Sequence, residues 1–294
     1  MSALSVTDAL LVAKAAGLDR LDAQLLLAHV LARPRTWLHA HDDAVLDASQ
    51  ADVFRALIER RAHGEPVAYL VGEKAFHGLT LHVDANVLVP RPDTEALVDW
   101  AIERLARAPA ARVLDLGTGS GAIALAVKHA CPGVTMVATD ISEGALGVAQ
   151  ANARRLGLEV AFRRGAWWEA VGAESFDLVL SNPPYIAGED PHLPALRHEP
   201  TLALTPGGDG LGALRAIVAG ARTHLAVSGW LLLEHGHDQA EAVHALLRAA
   251  GFAAIESRAD LGGRQRCTGG GVSPRATQGG APLHRKLPDS GSSA

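Results

Sequence analysis

From residue 112 onward, short apolar runs of strand length alternate with segments of helical periodicity, and this alternation restricts the fold more than any other feature. The runs that fit buried strands are residues 113–116, 134–139, 160–163, 176–180 and 230–234. Strands that are apolar throughout are typical of a parallel sheet that helices cover on both faces. The pattern therefore predicts an α/β fold with a doubly wound, mostly parallel sheet, closed by a helix over residues 238–250 and a strand near 253–257.

The residues before this core have different patterns. Apolar residues recur at helical spacing from Ser5 to Gly64, and Ser5 with Asp8 has the spacing of a capping box. Residues 74–89 alternate between apolar and polar, as in a β-hairpin, and Asp93 is expected to cap the helix that follows. We predict a helical domain over residues 1–73, a hairpin connector over 74–90, a large α/β domain over 91–269, and a disordered tail over 270–294.

Composition limits the classes of function. The chain has 294 residues and a formal net charge of -5, so it lacks the overall basic field that drives non-specific binding of nucleic acid. Its two cysteines do not provide a disulfide framework or a zinc site, and the histidines have no partners at metal-ligand spacing, so we expect no metal. The chain begins without a basic leader and has no apolar stretch of membrane-spanning length. These features predict a cytoplasmic protein with no membrane partner.

A glycine-rich turn joins the first predicted core strand to a helix. It consists of Gly117, Thr118, Gly119, Ser120 and Gly121. Glycines let the chain turn tightly and let a ligand approach the backbone, and the amides at the start of a helix attract polar groups. The spacing fits a dinucleotide fingerprint as well as a loop that binds S-adenosylmethionine. The glycines alone therefore leave the choice of cofactor open.

Acidic and aromatic residues stand near the same edge of the predicted sheet. Asp140 ends the second strand, where a carboxylate can accept both hydroxyls of a cofactor ribose; its alternative role is a cap for the helix near Ser142. Asp115 lies in an apolar strand, where an unpaired carboxylate is costly, so we expect it to orient the loop amides or to meet a cationic part of the cofactor. Trp167 suits packing on an adenine as well as core filling, whereas Trp168 is expected to fill the core.

The segment directly after the fourth strand indicates the chemistry. It reads Asn182-Pro183-Pro184-Tyr185. Both prolines fix φ and lack an N–H, so this turn presents hydrogen-bond acceptors in preset directions. A planar nitrogen can donate one hydrogen to the Asn182 side-chain oxygen and another to the Pro183 carbonyl, while Tyr185 packs on its flat face.

Such a turn suits methyl transfer to an amide or aromatic amine nitrogen. The lone pair of this nitrogen is delocalised, and the nitrogen gains positive charge as it attacks a sulfonium methyl group. Acceptors aimed at its hydrogens stabilise that charge more in the transition state than in the ground state, and alignment supplies further acceleration. A plain turn is the alternative role for this tetrapeptide, but its position at the edge that carries the glycine loop favours a site.

Several segments together resemble one methyltransferase family. They are Gly64-Glu-Pro-Val-Ala-Tyr69-Leu-Val-Gly72, Phe76-His-Gly-Leu79, Val87-Leu-Val-Pro-Arg91-Pro-Asp-Thr-Glu95, the glycine loop, the turn from Asn182 to Tyr185, Glu199-Pro200 with Gly207-Gly-Asp-Gly-Leu211, and Glu234-His-Gly236. On these segments, the chain up to about residue 269 resembles the protein-(glutamine-N5) methyltransferases that modify class I peptide chain release factors, the PrmC or HemK family. The run from Arg91 to Glu95 is the most specific of them.

The resemblance implies a Rossmann-like class I methyltransferase core that uses S-adenosyl-L-methionine to methylate the glutamine of the Gly-Gly-Gln loop in a release factor. The cofactor contacts that it implies are Gly117, Thr118, Gly119, Ser120, Gly121, Asp140, Trp167 and Asn182. The residues that would hold the glutamine amide are Asn182, Pro183, Pro184 and Tyr185, with Asn182, Pro183 and Tyr185 in the catalytic role. The N-terminal helical domain resembles the part that docks the release factor. Arg91 and Glu95 have no assigned role beyond helix entry or an ion pair.

The sequence departs from this family at two places. Ala166 precedes Trp167 where many relatives carry an acid, which predicts looser recognition of adenine. After Thr268 the final strand gives way to glycines, which we expect to weaken the last edge of the sheet.

Two other functions fit parts of the pattern. A DNA or RNA adenine or guanine methyltransferase could use the same turn, because an exocyclic amino group offers the same two hydrogens, but it would need a basic recognition surface. A non-catalytic module that binds S-adenosylmethionine would not need an intact Asn-Pro-Pro-Tyr turn. A dehydrogenase would leave the proline pair unexplained. We therefore expect a protein substrate and disfavour direct binding of nucleic acid.

Overall fold

The computed structural model describes residues 4–272; of the predicted tail, residues 273–294 lie outside this range. The first part is a small helical domain with a core centred on Leu26, Leu27 and Phe54. Its elements are β1 (Leu4–Ser5), α1 (Val6–Ala15), α2 (Arg20–Leu31), α3 (Trp37–Ala40), β2 (Val45–Leu46), α4 (Ala48–Ala62) and α5 (Val67–Val71). The predicted capping box is confirmed, because Ser5 and Asp8 each accept a hydrogen bond from the backbone N–H of the other at the start of α1.

A hairpin then leads into the large domain. Strands β3 (Glu73–Phe76) and β4 (Leu79–His82) pair antiparallel, which confirms the predicted hairpin. A 3-10 turn over Pro92–Thr94 precedes helix α6 (Glu95–Leu105). The expectation that Asp93 caps this helix is wrong: Thr94 occupies the N-cap position without a side-chain cap, and the Asp93 carboxylate lies 3.1 Å from the Arg266 guanidinium. A cation from a distant strand is the stronger partner for this carboxylate.

The large domain alternates strands and helices. Its elements are β5 (Arg112–Leu116), α7 (Ala122–Ala130), β6 (Thr135–Asp140), α8 (Glu143–Leu156), β7 (Ala161–Arg164), β8 (Phe176–Ser181), α9 (Thr201–Leu204), α10 (Gly212–His224), β9 (Leu225–Glu234), α11 (Ala240–Ala249), β10 (Ala253–Ala259) and β11 (Gln265–Gly271). The strands form one seven-stranded sheet in the order β10-β11-β9-β8-β5-β6-β7. The pairs from β7 to β9 are parallel and β11 is antiparallel to both of its neighbours, which confirms the predicted α/β fold.

Each face of this sheet carries its own core. Trp100 of α6 and Leu125 of α7 belong to one apolar cluster, and Leu214 of α10 and Leu247 of α11 belong to the other. A parallel sheet needs such cover on both faces. Within residues 4–272, no helix has the length and apolar character needed to cross a membrane.

The glycines of the last strand contradict the expectation of a weakened edge. β11 lies between β9 and β10, so these glycines are inside the sheet. A Cβ at Gly269 would lie 2.9 Å from Cη2 of Trp100, and one at Gly271 would lie 2.8 Å from Cε2 of Trp230. Distances this short are not tolerated, so the glycines make room for two large indoles. The strand continues to Gly271, past the predicted domain boundary at residue 269.

Candidate active site

The glycine loop lies at the carboxyl end of β5, where the chain order changes direction between β6 and β8. The amides of Gly117 and Thr118 each donate to the Thr139 carbonyl at 2.9 Å, which ties the loop to the end of β6. Gly117 has a φ of +74°, and a Cβ there would lie 3.4 Å from Cζ3 of Trp167. Gly121 has a φ of +83° where α7 begins. Open α/β sheets bind ligands at such a switch point, and side chains at these glycines would strain the loop.

Asp140 joins the glycine loop to the next helix. Its Oδ2 accepts from the Gly119 N–H and its Oδ1 accepts from the Ser142 N–H, each at 2.9 Å. Burial raises the pKa of Asp140, while the backbone donors oppose this rise because they stabilise the carboxylate. The N-cap of α8 is Ser142, and Asp140 lines the adjacent cavity. The carboxylate is therefore held in place by backbone donors beside a space that can receive a ligand.

Asp115 supports the loop from inside the sheet. It is fully buried, and its Oδ2 accepts a hydrogen bond of 2.6 Å from the Thr118 hydroxyl. Burial raises the pKa of Asp115 to about 7. Its Oδ1 has no hydrogen-bond partner among residues 4–272, and the side chain is not part of the cavity wall. Asp115 thus contacts the glycine loop through the side-chain hydroxyl of Thr118.

The two tryptophans after β7 have different positions. Trp167 lines the cavity and packs across Gly117, and its φ of +47° is unusual for a residue with a side chain. Trp168 turns into the core, where its Nε1 donates to the Ile217 carbonyl at 3.1 Å and its ring stacks on His224. The prediction that Trp168 fills the core is confirmed. Trp167 supplies a flat apolar wall instead.

One cavity of about 460 Å³ brings most of the predicted residues together. The predicted residues that line it are Gly117, Thr118, Gly119, Ser120, Asp140, Trp167, Asn182 and Pro184. The segment between β8 and α10 closes one side of the cavity through Pro200, Leu202 and Thr205. Among the described residues, Arg91 and Asp140 are the charged members of the wall. The volume lies within the range of small-molecule sites, and its largely apolar wall is typical of them.

Asn182 stands at the end of β8 with its side chain at this cavity. Its Nδ2 donates to the Thr94 hydroxyl at 3.2 Å, and Thr94 is 4% exposed. Because the amide nitrogen donates to Thr94, the amide oxygen is left as the acceptor for a ligand. Thr94 also lines the cavity; it lies in the motif from Arg91 to Glu95, but the sequence analysis assigned it no role in the site.

Two residues of the turn, Pro183 and Tyr185, lie outside the cavity wall. Pro183 is buried, and neither Pro183 nor Tyr185 is among the described residues that line the cavity. The Tyr185 hydroxyl donates to Oε1 of Glu234 at 3.4 Å, and its carbonyl accepts from Nε2 of Gln239 at 2.9 Å. Burial raises the pKa of Tyr185, and the nearby Glu234 adds to this rise. The turn is therefore anchored to β9 and to the segment before α11.

Arg91 forms an ion pair, one of the two roles that the sequence left open for it, and the structure identifies its partner. The Arg91 guanidinium donates to Glu199, which is 6% exposed and also accepts from the Val89 N–H at 3.0 Å. This contact fastens the segment before α6 to the loop that closes the cavity. Glu95, the other unassigned residue, accepts from the His77 N–H at 2.9 Å and so ties the hairpin to α6.

The helical domain contacts the same loop from outside. The His63 carbonyl, at the end of α4, accepts from the Arg197 guanidinium, and the His198 ring lies 3.1 Å from it. The N-terminal domain therefore contacts the segment that closes the cavity.

The cavity lies at the switch point of the sheet. It has a fixed carboxylate that suits a ribose on one side and an oriented amide oxygen on the other, so it has room for a nucleotide-like methyl donor and a nitrogen nucleophile. This combination defines a Rossmann-like, S-adenosylmethionine-dependent methyltransferase. The methyltransferase small domain family matches residues 94–250, and the PrmC N-terminal domain family matches residues 2–72.

Close relatives identify the family. The chain is 51% identical over 265 residues to a release factor glutamine methyltransferase of Xylella fastidiosa (strain Temecula1), covering 89% of this chain and 96% of the relative. It is 50% identical over 257 residues to the enzyme of that name from Bordetella pertussis, covering 86% of this chain and 95% of the relative. The chain belongs to the release factor glutamine methyltransferase family. The fold also matches a solved methyltransferase from Pyrococcus furiosus, with a TM-score of 0.52, 18% identity, and coverage of 68% of this chain and 92% of the other.

Proposed function

We propose that this enzyme methylates the side-chain amide nitrogen of the glutamine in the Gly-Gly-Gln loop of class I peptide chain release factors, with S-adenosylmethionine as the methyl donor. The observation that carries the proposal is the orientation of Asn182, whose Nδ2 donates to Thr94, which leaves Oδ1 as the atom that can accept from a substrate N–H. Release factors act on ribosomes, so the proposed place of action is the cytoplasm.

The cavity has the features that S-adenosylmethionine requires. Asp140 would accept the ribose hydroxyls, Trp167 would pack against the adenine, and the loop from Gly117 to Gly121 would allow close approach to the backbone. When bound, the cofactor supplies an electrophilic methyl group on a sulfonium. Ala166 leaves the position before Trp167 without an acid, so the ribose contact through Asp140 and the apolar wall would provide most of the recognition.

The turn would act on the nucleophile by accepting its hydrogens. A glutamine amide nitrogen becomes positive as it attacks, and Oδ1 of Asn182 with the Pro183 carbonyl would stabilise that charge as it develops. We propose that the Tyr185 ring contacts the flat face of the same amide near Pro184. Because the prolines restrict the turn, the acceptors need no reorganisation during the reaction.

The rim of the cavity favours a peptide over a nucleic acid. Leu202 and Ile141 line the cavity and remain 74% and 55% exposed, which gives the rim an apolar surface. Arg91 is the basic residue in the wall within residues 4–272, and Glu199 already neutralises it. A nucleic-acid site would need several free basic groups for the phosphates. The N-terminal helical domain, which touches the cavity loop through His63, is the proposed docking surface for the body of the release factor.

The proposal is tested with S-adenosylmethionine labelled on its methyl group. Parallel reactions contain an unmodified class I release factor, its Gln→Ala variant at the Gly-Gly-Gln loop, or duplex DNA. Label on the intact factor alone supports the proposal. Label on DNA alone would replace it with base methylation, and bound cofactor with no transfer to any substrate would indicate a docking module.

A further inference from the structure

Two segments of the sequence pattern have no contact with the cavity. Within the described part of the chain, residues 207–211 and residues 234–236 are absent from the cavity wall. Both segments instead approach the end of the Asn-Pro-Pro-Tyr turn. Gly210 packs against the Tyr185 carbonyl, and Gly236 holds the side chain that donates to this carbonyl, which belongs to Gln239.

Gln239 connects the end of the turn to the start of α11. Its Nε2 donates to the Tyr185 carbonyl at 2.9 Å, and its Oε1 accepts from the Gly236 N–H at 2.9 Å. The Gln239 N–H donates in turn to the Gly236 carbonyl at 2.9 Å, so the two residues bond to each other twice. Because a backbone N–H can only donate, the amide oxygen of Gln239 must face Gly236 and its amide nitrogen must face Tyr185. The backbone therefore fixes the orientation of this side chain.

Gly210 leaves room for this hydrogen bond. It is buried with a φ of +78°, and a Cβ there would overlap the Tyr185 carbonyl oxygen and lie 3.0 Å from Nε2 of Gln239. A side chain at this position would displace either the carbonyl or its donor, because protein interiors have no space to absorb such an overlap. The backbone of Gly210 thus packs directly against the bond between Gln239 and Tyr185.

The turn is held at both ends. At its start, Nδ2 of Asn182 donates to Thr94, and at its end the Tyr185 carbonyl accepts from Gln239. The two prolines between these ends have fixed φ, so the turn has little freedom once the ends are in place. The direction of the Pro183 carbonyl, which would accept one hydrogen of the substrate amide, therefore depends on where Tyr185 is held.

We propose that Gln239 is a positioning residue for methyl transfer: its side-chain amide, confined by Gly210, holds the Tyr185 carbonyl and so keeps the acceptors of the turn aimed at the substrate nitrogen. This inference rests on the proposed function, because it assigns the group that supports the acceptors for the glutamine amide. Among residues 4–272, Gln239 lies outside the cavity wall and its side chain forms no hydrogen bond with Asp140 or the glycine loop. Its effect on the reaction therefore passes through Tyr185 and leaves cofactor binding unchanged.

Two glycines of the same segment provide a matched test. Gly207 and Gly210 have φ values of +76° and +78°, so alanine introduces a similar backbone strain at both positions. A Cβ at Gly207 would meet no described atom within 4 Å beyond its chain neighbours, whereas one at Gly210 would overlap the Tyr185 carbonyl. At saturating cofactor and release factor, we expect Gly210→Ala to lower kcat at least about tenfold by misplacing the turn, and Gly207→Ala to keep kcat within about twofold of the wild type.

Two variants of Gln239 separate the hydrogen bond from the packing. Gln239→Met has a similar length but lacks the amide. Gln239→Glu keeps an oxygen for the Gly236 N–H and places a second acceptor against the Tyr185 carbonyl; a carboxylate is favoured at the N-cap position of α11, so the fold should be retained. We expect kcat to fall about fivefold in Gln239→Met, the loss of one hydrogen bond, and at least about tenfold in Gln239→Glu. A role in packing alone would give the reverse order, because glutamate has the shape of glutamine.

Cofactor binding, measured by calorimetry, controls for folding: each variant should bind S-adenosylmethionine within about threefold of the wild type. The inference is overturned if Gly207→Ala loses as much kcat as Gly210→Ala, if Gln239→Glu keeps the wild-type kcat or exceeds Gln239→Met, or if activity is lost through KM alone. If Gly210→Ala binds no cofactor, the order of the two Gln239 variants decides. A wild-type enzyme that labels no release factor would refute the proposed function instead, so the two failures are distinguishable.

Discussion

Replacing glycine with alanine is expected to have opposite effects on stability at two positions in helices, Gly147 and Gly220. A Cβ added at Gly147 in α8 would meet no described atom within 4 Å outside its own helix backbone, whereas a Cβ at Gly220 in α10 would lie 2.3 Å from Cδ1 and 2.4 Å from Nε1 of Trp168. Trp168 cannot move aside, because its ring stacks on His224 and its N–H donates to the Ile217 carbonyl. Gly147→Ala and Gly220→Ala therefore form a matched pair.

The magnitudes follow from two competing terms. Alanine improves the interior of a helix by about 1 kcal/mol over glycine at either site. At Gly220 the clash adds an overpacking cost at the upper end of the usual range, about 3 kcal/mol. Gly147→Ala should thus be stabilised by about 1 kcal/mol and Gly220→Ala destabilised by about 2 kcal/mol. In a domain of this size these values correspond to roughly 2–4 °C upward and roughly 4–8 °C downward in Tm.

Urea unfolding, followed by far-ultraviolet circular dichroism, measures both changes. Trp168 is the chain neighbour of Trp167, which lines the cavity. Gly220→Ala should therefore also weaken S-adenosylmethionine binding, and Gly147→Ala should leave it unchanged. A Gly220→Ala protein that is as stable as the wild type or more so would refute the assignment of Trp168 as a rigid core residue.

Three further predictions concern the site and its support. Asp140→Asn removes one of two carboxylate acceptors beside the ribose position, so calorimetry should show S-adenosylmethionine binding weakened at least about tenfold; unchanged affinity would contradict the ribose role. Burial raises the pKa of Asp115 in the folded protein, so the wild type loses stability as this group ionises between about pH 4 and 7. Asp115→Asn cannot ionise there, so its stability relative to the wild type should rise over the same range. Equal urea midpoints for the two proteins across that range would contradict this prediction. Glu199→Gln leaves the Arg91 guanidinium without its anion and should cost about 1–2 kcal/mol in urea unfolding, whereas no loss would show that the ion pair does not fasten the cavity loop.

The sheet and the main site motifs could be predicted because their signals are local. Apolar runs identify parallel strands, and the loop from Gly117 to Gly121 or the turn from Asn182 to Tyr185 carries its chemistry within a few consecutive residues. Asp140 could be placed because a strand end fixes it relative to the glycine loop.

Other features depend on residues far apart in the chain and escaped prediction. An ion pair was one role left open for Arg91, but Glu199 lies 108 positions away and no local pattern identifies it as the partner. The glycines of β11 suggested a weak strand. They are needed because Trp100 from a helix and Trp230 from another strand pack against them and leave no space for a Cβ. The local sequence cannot show that these positions must lack a side chain, because the indoles reach them only in the folded protein.

The same limit applies to the support of the site. Thr94 follows a proline turn and Glu234 ends an apolar strand, and the contacts of Thr94 with Asn182 and of Glu234 with Tyr185 appear only in three dimensions. Their residue types are common at helix starts and strand ends, so the sequence gives no reason to connect them. Long-range pairs of this kind decide how a local motif is oriented.

The central claim is that Asn182 holds the substrate amide and contributes little to the affinity for the cofactor. The most direct measurement is mass mapping of the Gly-Gly-Gln peptide of a class I release factor after incubation with S-adenosylmethionine and either the wild type or Asn182→Ala, with cofactor affinity measured on both proteins. We predict one added methyl group on the glutamine with the wild type, none with Asn182→Ala, and cofactor affinities within about threefold of each other. Methylation of the glutamine by Asn182→Ala at the wild-type rate, or methylation by the wild type at a different residue, would contradict the account.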